Sequence, residues 1–433
     1  MTRHMLFLMA ASLLCLGAAT PAFETKPNAA CFEKFIVPKA PATKGLLLKP
    51  GDRLAICGDS ITEQKMYSRA IETYLTVCMP ELNITVRQYG WSGERANGFL
   101  ARMTNDCLRF RPTIATTCYG MNDHQYRPFE PAIGDAYRSN SLAIVRAFKA
   151  NGVRVVQGSP GTVGKMPHWV KSASGTVDDL NLSLCELRTI GIDIATQEKV
   201  AFADVFWPML KAGYYGQEKY GTNFFIAGKD GVHPGWAGQA VMAYAFLKSL
   251  GVDGNIGRFT VDLAAGKATV SMGHELIGYR DGELQIKSTR YPFCATGSIT
   301  NDNSIRAGMS LAPFNQELNR FMLVVTNSVA ARYKITWGAE TRTYTARQLA
   351  RGVNLADDFA TNPFSEAFGK VDRAVLAKQA YETKQIKQLF RAPEAKTNFA
   401  AVVQQTEAER APLAEAIKTA FVPVTHAIKI AAE

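Results

Sequence analysis

Arg53-Leu54-Ala55-Ile56-Cys57-Gly58-Asp59-Ser60-Ile61-Thr62 decides how the first half of this 433-residue chain folds. A short apolar run stops abruptly at Gly-Asp-Ser, and Tyr67, Ile71, Tyr74 and Cys78 then recur at helical spacing. The apolar run bounded by turn residues predicts a strand buried on both faces, and the recurrence after it predicts a helix. A serine at such a strand-to-helix turn projects its hydroxyl from the end of a sheet. The start of a helix there favours nearby negative charge. Taken alone, Ser60 reads as a turn residue or helix cap as readily as a nucleophile.

The same alternation continues outward. Strands are predicted at 84–89, 113–119, 153–157 and 200–205, and helices at 95–110, 136–150, 177–198 and 236–250. Five strands interleaved with helices make an α/β fold, a parallel sheet covered on both faces, whose functional loops gather at the carboxyl ends of the strands. This unit is assigned to 49–254, preceded by an extended, proline-containing arm over 23–48. After Gly254 the pattern changes. Strands at 259–263, 267–271, 321–326 and 332–337 predict a β-rich accessory region over 255–355. A helical C-terminal region over 356–433 opens on Asn362-Pro363, a good cap and first-turn pair.

Residues 1–22 have the basic start, apolar centre (Met5 to Leu16) and small-residue end of a secretory signal, so the protein is expected to be exported, periplasmic or extracellular. The apolar stretch is shorter than the ~20 residues a spanning helix needs, and no stable membrane insertion is expected once the signal is removed. The formal net charge of +11 is dispersed, without a cluster of basic and aromatic residues, which argues against nucleic acid as a partner. Seven cysteines remain beyond the signal, an odd number whose pairing cannot be deduced, and none has metal-ligand spacing.

Histidine is scarce, which narrows the search for a base. His233 lies in Lys229-Asp230-Gly231-Val232-His233-Pro234, between the fifth strand and the last helix. In a tight turn, Asp230 can accept a hydrogen bond from Nδ1 of the imidazole and leave Nε2 to take a proton from Ser60. A helix-capping Asp beside a surface His would give the same sequence. Acyl transfer also needs donors aimed at the developing oxyanion. Gly93 in Trp91-Ser92-Gly93 and Asn122 in Gly120-Met121-Asn122-Asp123 follow the second and third strands, and the Ser60 N–H is a third donor. Read singly, Gly93 and Asn122 are turn residues. Together, four loops at one end of a parallel sheet each supply a different part of one mechanism.

These blocks, in this order, resemble the signature blocks of the SGNH (GDSL) hydrolase family over roughly residues 50–250. The resemblance implies a three-layer α/β/α sandwich with a flavodoxin-like, five-stranded parallel sheet. It implies Ser60 as nucleophile, His233 and Asp230 as base and acid, and an oxyanion hole from Ser60, Gly93 and Asn122. It implies no metal and no cofactor. Many members have Asn where this chain has Trp91, which removes one supporting hydrogen bond. Larger members with C-terminal additions often resemble bacterial carbohydrate O-acetylesterases, so the expected substrate is a small-molecule or carbohydrate acetyl ester. Alternatives are a lipase, lysophospholipase or thioesterase for longer acyl chains, and, in another class, a non-catalytic carbohydrate-binding protein. Trp91, Asp123 and Trp236 are candidate substrate contacts; Tyr126 and Trp169 are further aromatics in or near the same loops. His124 reads as a surface residue, and Asp59 as a shaper of the nucleophile turn.

Overall fold

The computed structural model describes residues 22–433, so the signal expected over 1–22 lies, but for Ala22, outside the described residues. Strands β1 (Arg53–Gly58), β2 (Thr85–Gln88), β3 (Ile114–Cys118), β4 (Arg154–Gly158) and β5 (Ala201–Ala203) form one sheet in the order β2-β1-β3-β4-β5. Every pairing in it is parallel. Side chains alternate across a strand, and both faces of this sheet are covered. Leu54, Ile56, Ile114 and Cys118 pack with residues of the helices Tyr67–Cys78 and Trp236–Ser249. Ala55, Cys57 and Ala115 pack with residues of the helices Ala96–Asp106 and Pro131–Ala150. This is the expected three-layer sandwich. The sequence reading had no helix at Phe206–Tyr220, which follows β5 and leads into the His233 loop.

The second half holds two further sheets. One combines β6 (Asn255–Asp262), β7 (Lys267–Val270), β10 (Arg320–Thr326) and β13 (Val353–Asn354). The other is the antiparallel set β12-β11-β14-β9-β8, built from β8 (His274–Arg280), β9 (Glu283–Ser288), β11 (Arg332–Trp337), β12 (Glu340–Thr345) and β14 (Val424–Ala432). The C-terminal region is therefore not wholly helical, as 356–433 had been read. After the helices Ser365–Lys387 and Phe399–Ala420 the chain returns as β14, between β11 and β9. Buried His426, Ile428 and Ile430 alternate along it.

The two halves share one hydrophobic core on the face carrying helix Tyr67–Cys78. Helix Ser365–Lys387 also covers an edge of the parallel sheet. The outermost strand, β2, would present unpaired backbone groups there. Lys378 Nζ donates to the Val86 carbonyl (2.6 Å), and the Glu382 carboxylate accepts the Gln88 N–H (3.1 Å). One turn of helix thus supplies a donor and an acceptor to the strand edge. The charges are balanced in place: Lys378 is paired with Glu72 and Glu382, both at 2.9 Å, and Arg410 with Glu382 at 2.6 Å. Lys378 is 1% exposed, so its pairing with these carboxylates is what makes its burial tolerable. All seven cysteines of the described residues are free, and six are buried.

Candidate active site

Ser60 opens a four-residue helix directly after β1. Asp59 caps it, accepting the Ile61 N–H at 2.9 Å. Burial pushes the Asp59 carboxyl up to about 7; the Ile61 amide offsets part of this, and Asp123 and Glu94 add to it. Asp59 is thus spent on turn shape, and its surroundings keep it from being a readily ionised second base.

The structure brings Ser60, His233 and Asp230 into one hydrogen-bonded line. His233 Nδ1–H donates to Asp230 Oδ2 (2.7 Å), which leaves Nε2 to accept from the Ser60 hydroxyl (2.8 Å). Asp230 Oδ1 accepts the backbone N–H groups of Val232 (2.9 Å) and His233 (2.8 Å), so one carboxylate fixes both the turn and the imidazole. Burial raises the Asp230 carboxyl, but these backbone amides and His233 outweigh it and hold Asp230 below the ordinary carboxylate value. Gly231 has φ +83°, and a Cβ there would strike the Lys165 backbone. This turn therefore requires glycine.

Gly93 sits at φ +73° in the exposed loop after β2. The loop after β3 is tied to it: Asn122 Nδ2 donates to the Glu94 carbonyl (3.1 Å), and the Tyr126 hydroxyl donates to Asn122 Oδ1 (3.0 Å). The Asn122 amide is thereby oriented, and its second N–H is not used by the Glu94 contact. Glu94 is clamped in turn by Arg102, at 2.6 and 2.7 Å, and by the Tyr119 hydroxyl at 3.0 Å.

Three residues expected to touch substrate stand differently. Asp123 is buried, and its two oxygens accept the Ala96 and Gly120 N–H groups, each at 3.0 Å. It joins the second and third loops instead of facing a ligand. Burial, partly offset by those amides, pushes it up to about 6. Trp91 has the cations of Arg102 (5.0 Å), Arg391 (5.3 Å) and Lys387 (5.4 Å) over its ring. Trp236 has Arg69 over its ring at 5.1 Å, and Arg69 is itself paired with Asp372. Cations that pack on an indole occupy the face a sugar would use. Trp169 is the more available ring: it is 42% exposed and stacks on His233, centroids 6.0 Å apart. His124, read as a surface residue, is fully buried, with Nδ1–H donating to the Met121 carbonyl at 2.5 Å. Sequence reasoning did not single out Glu63, Glu94 or Arg102, which act through other residues; Glu94 closes the Trp91-Ser92-Gly93 block, and Glu63 and Arg102 lie outside the four blocks.

Comparison with known proteins bears on this half of the chain first. Residues 56–241 match the model of the GDSL-like lipase/acylhydrolase family. Among solved structures, a gut-microbial diltiazem-metabolizing enzyme superposes with a TM-score of 0.71 at 20% identity, over 89% of this chain and 98% of that one. That likeness extends the shared fold through the C-terminal half. A catalytic mutant of an acetylxylan esterase from Geobacillus stearothermophilus gives a TM-score of 0.40 at 22% identity, over 48% of this chain and 97% of that one. An alpha/beta hydrolase from the metagenome of Lake Arreo, Spain, gives 0.39 at 20% identity, over 48% and 98%. No curated protein matches the chain.

Proposed function

The chain is an ester-bond hydrolase that carries a domain of the GDSL-like lipase/acylhydrolase family over residues 56–241, and from that premise we propose that it is an exported esterase removing small acyl groups, acetyl first, from carbohydrate. Ser60 attacks the ester carbonyl as His233 Nε2 takes its proton. Asp230 holds the imidazole in the tautomer this requires and stabilises the imidazolium. The tetrahedral oxyanion rests on the Ser60 and Gly93 N–H groups and the free N–H of Asn122. His233 then protonates the leaving alcohol, and water repeats the sequence on the acyl-enzyme.

The observation that carries the reading is the line from Ser60 Oγ through His233 to Asp230, with contacts of 2.8 and 2.7 Å, at the carboxyl end of a parallel sheet. The sugar is supported by the exposed ring of Trp169 beside His233, because an aromatic face of this kind stacks on a pyranose. The acetyl group rests on the resemblance of extended family members to carbohydrate O-acetylesterases.

The test is hydrolysis of nitrophenyl esters from acetyl to octanoyl by the mature chain beside Ser60→Ala. Turnover that is fastest on acetate and lost in the variant supports the reading, and acetylated polysaccharides follow as substrates. A preference for octanoate moves it to lipid or thioester hydrolysis. Absence of any Ser60-dependent turnover overturns it.

A further inference from the structure

Gly93 is a donor without packing of its own. No heavy atom lies within 4 Å of where its Cβ would be, so no packing holds it from that side, and only the turn bond from the Glu94 N–H to the Trp91 carbonyl, at 3.1 Å, spans it. Its position depends on its neighbours. On one side Glu94 is held by Arg102 and Tyr119, all within the catalytic half. On the other side is Ser92, and its anchor is Glu63: Glu63 Oε2 accepts both the Ser92 hydroxyl, at 2.6 Å, and the Ser92 N–H.

Glu63 follows the nucleophile by three residues and would leave a half-buried negative charge beside a forming oxyanion. That charge is answered from the far end of the chain. Lys387, the last residue of helix Ser365–Lys387, places Nζ 2.7 and 2.8 Å from the two Glu63 oxygens. Burial raises the Glu63 carboxyl, but Lys387 and Ser92 outweigh it and keep the group ionised. The same ammonium lies 5.4 Å from the Trp91 ring, so it also touches the residue before Ser92.

We propose that Lys387, outside the family-matched stretch, is a positioning residue for the oxyanion loop: acting through Glu63 and Ser92, it sets the Gly93 N–H and neutralises the carboxylate next to it. The inference rests on the hydrolase reading above. It gives the C-terminal half a part in the reaction, because a residue of this helix meets the carboxylate that anchors Ser92.

The test compares full-length Lys387→Met, Lys387→Arg and Arg391→Met with the parent on nitrophenyl acetate. Arg391, in the short turn that follows the helix, pairs with Asp106 and covers the same Trp91 ring but has no hydrogen bond or ion pair with Glu63, so its variant reports loss of docking at this end of the helix without loss of the Glu63 link. Misplacing one oxyanion donor slightly is expected to lower kcat about 10- to 100-fold in Lys387→Met, with KM unchanged. Lys387→Arg restores most of the rate, and Arg391→Met keeps it. Glu63→Gln cuts the same link from the catalytic side, lowering kcat in the same sense, and serves if Lys387→Met fails to fold. Turnover that is lost in Ser60→Ala but equal in the parent, Lys387→Met and Glu63→Gln overturns the proposal and leaves the hydrolase reading standing. A fall in kcat no larger than that of Arg391→Met also overturns it. Turnover that survives in Ser60→Ala overturns the hydrolase reading and this inference with it.

Discussion

A serine hydroxyl meets a histidine Nε2 once in each half of the described residues, and the two contacts are nearly the same length. Ser60 Oγ lies 2.8 Å from His233 Nε2, and Ser288 Oγ lies 2.9 Å from His426 Nε2. The surroundings make them opposites. At His233 the third member is the Asp230 carboxylate, which takes the Nδ1 proton and leaves Nε2 as an acceptor. At His426 the third member is the Trp337 Nε1–H, a donor, at 3.2 Å from Nδ1. Indole can only donate, so His426 must carry its proton on Nε2 and give it to Ser288. The Ser288 hydroxyl then donates to His274 Nδ1 (2.8 Å), whose Nε2–H donates to the Ile256 carbonyl (2.9 Å). In the first pair the serine gives its proton to the histidine; in the second it receives one. Ser288 and His426 are also buried under aromatic rings, including Phe364 and Phe259, with no path for an ester. The second contact is a satisfied polar line that fixes how β9, β11 and β14 pack with β6. Distance alone does not make a nucleophile; the third partner and access to solvent do.

Substitution breaks this comparison most sharply. Ser60→Ala is expected to reduce kcat for ester hydrolysis by ~10⁴-fold or more. Ser288→Ala is expected to leave turnover intact and cost about 1–3 kcal/mol of stability in a denaturant titration. Equal losses of activity would erase the distinction. Asp230→Asn reverses the donor and acceptor roles at His233, and a fall of ~10⁴ in kcat is expected with the fold unchanged by circular dichroism. Asn122→Ala, removing one proposed oxyanion donor, is expected to lower kcat by ~10²–10³ with little change in KM.

Asp59 beside the first serine and the histidines around the second answer pH in opposite senses. Burial pushes His274 down to about 4 and His426 down to about 3, from an ordinary value of 6.5. Their depressed values mean the folded state holds them neutral. Their contribution to stability is present above about 6.5 and is lost as pH falls toward 4 and 3. Asp59 is raised from 3.8 to about 7, so its contribution is full below 3.8 and is lost as pH rises through about 7. Hydrogen exchange between pH 7 and pH 4 is expected to speed up in β14 before β1. In His426→Gln the early loss in β14 should flatten; an unchanged profile would sink the assignment to the histidines. The smallest effect is reserved for the exposed ring: Trp169→Ala is expected to raise KM for an acetylated oligosaccharide about 3- to 10-fold, with kcat on nitrophenyl acetate nearly unchanged.

The catalytic half was legible because its information is local. Each strand of the parallel sheet is a short apolar run ended by turn residues, and each site loop follows its strand directly. Asp230 and His233 lie three residues apart, so one turn builds half of the Ser60–His233–Asp230 hydrogen-bonded line. The second half was read less well where neighbours in sequence mislead. Residues 424–432 carry the alternation of a strand, yet they follow a 22-residue helix and had been read with the helical region. Their partners, β11 and β9, lie about 95 and about 140 residues upstream, and only pairing with them makes the extended conformation favourable.

Composition and motif order therefore determined, without any structure, that this chain holds a doubly covered parallel sheet and a Ser, His and Asp poised to meet at the carboxyl ends of its strands. The tertiary structure alone decided that Asp123 is spent between two loops, that cations cover the Trp91 ring, that His124 is buried, and that Lys387 reaches Glu63 across 324 residues. The physical reason is the same in each case. A side chain's type limits which bonds it can make, but which partner it meets depends on long-range packing, and that is set only when the two halves close on one shared core.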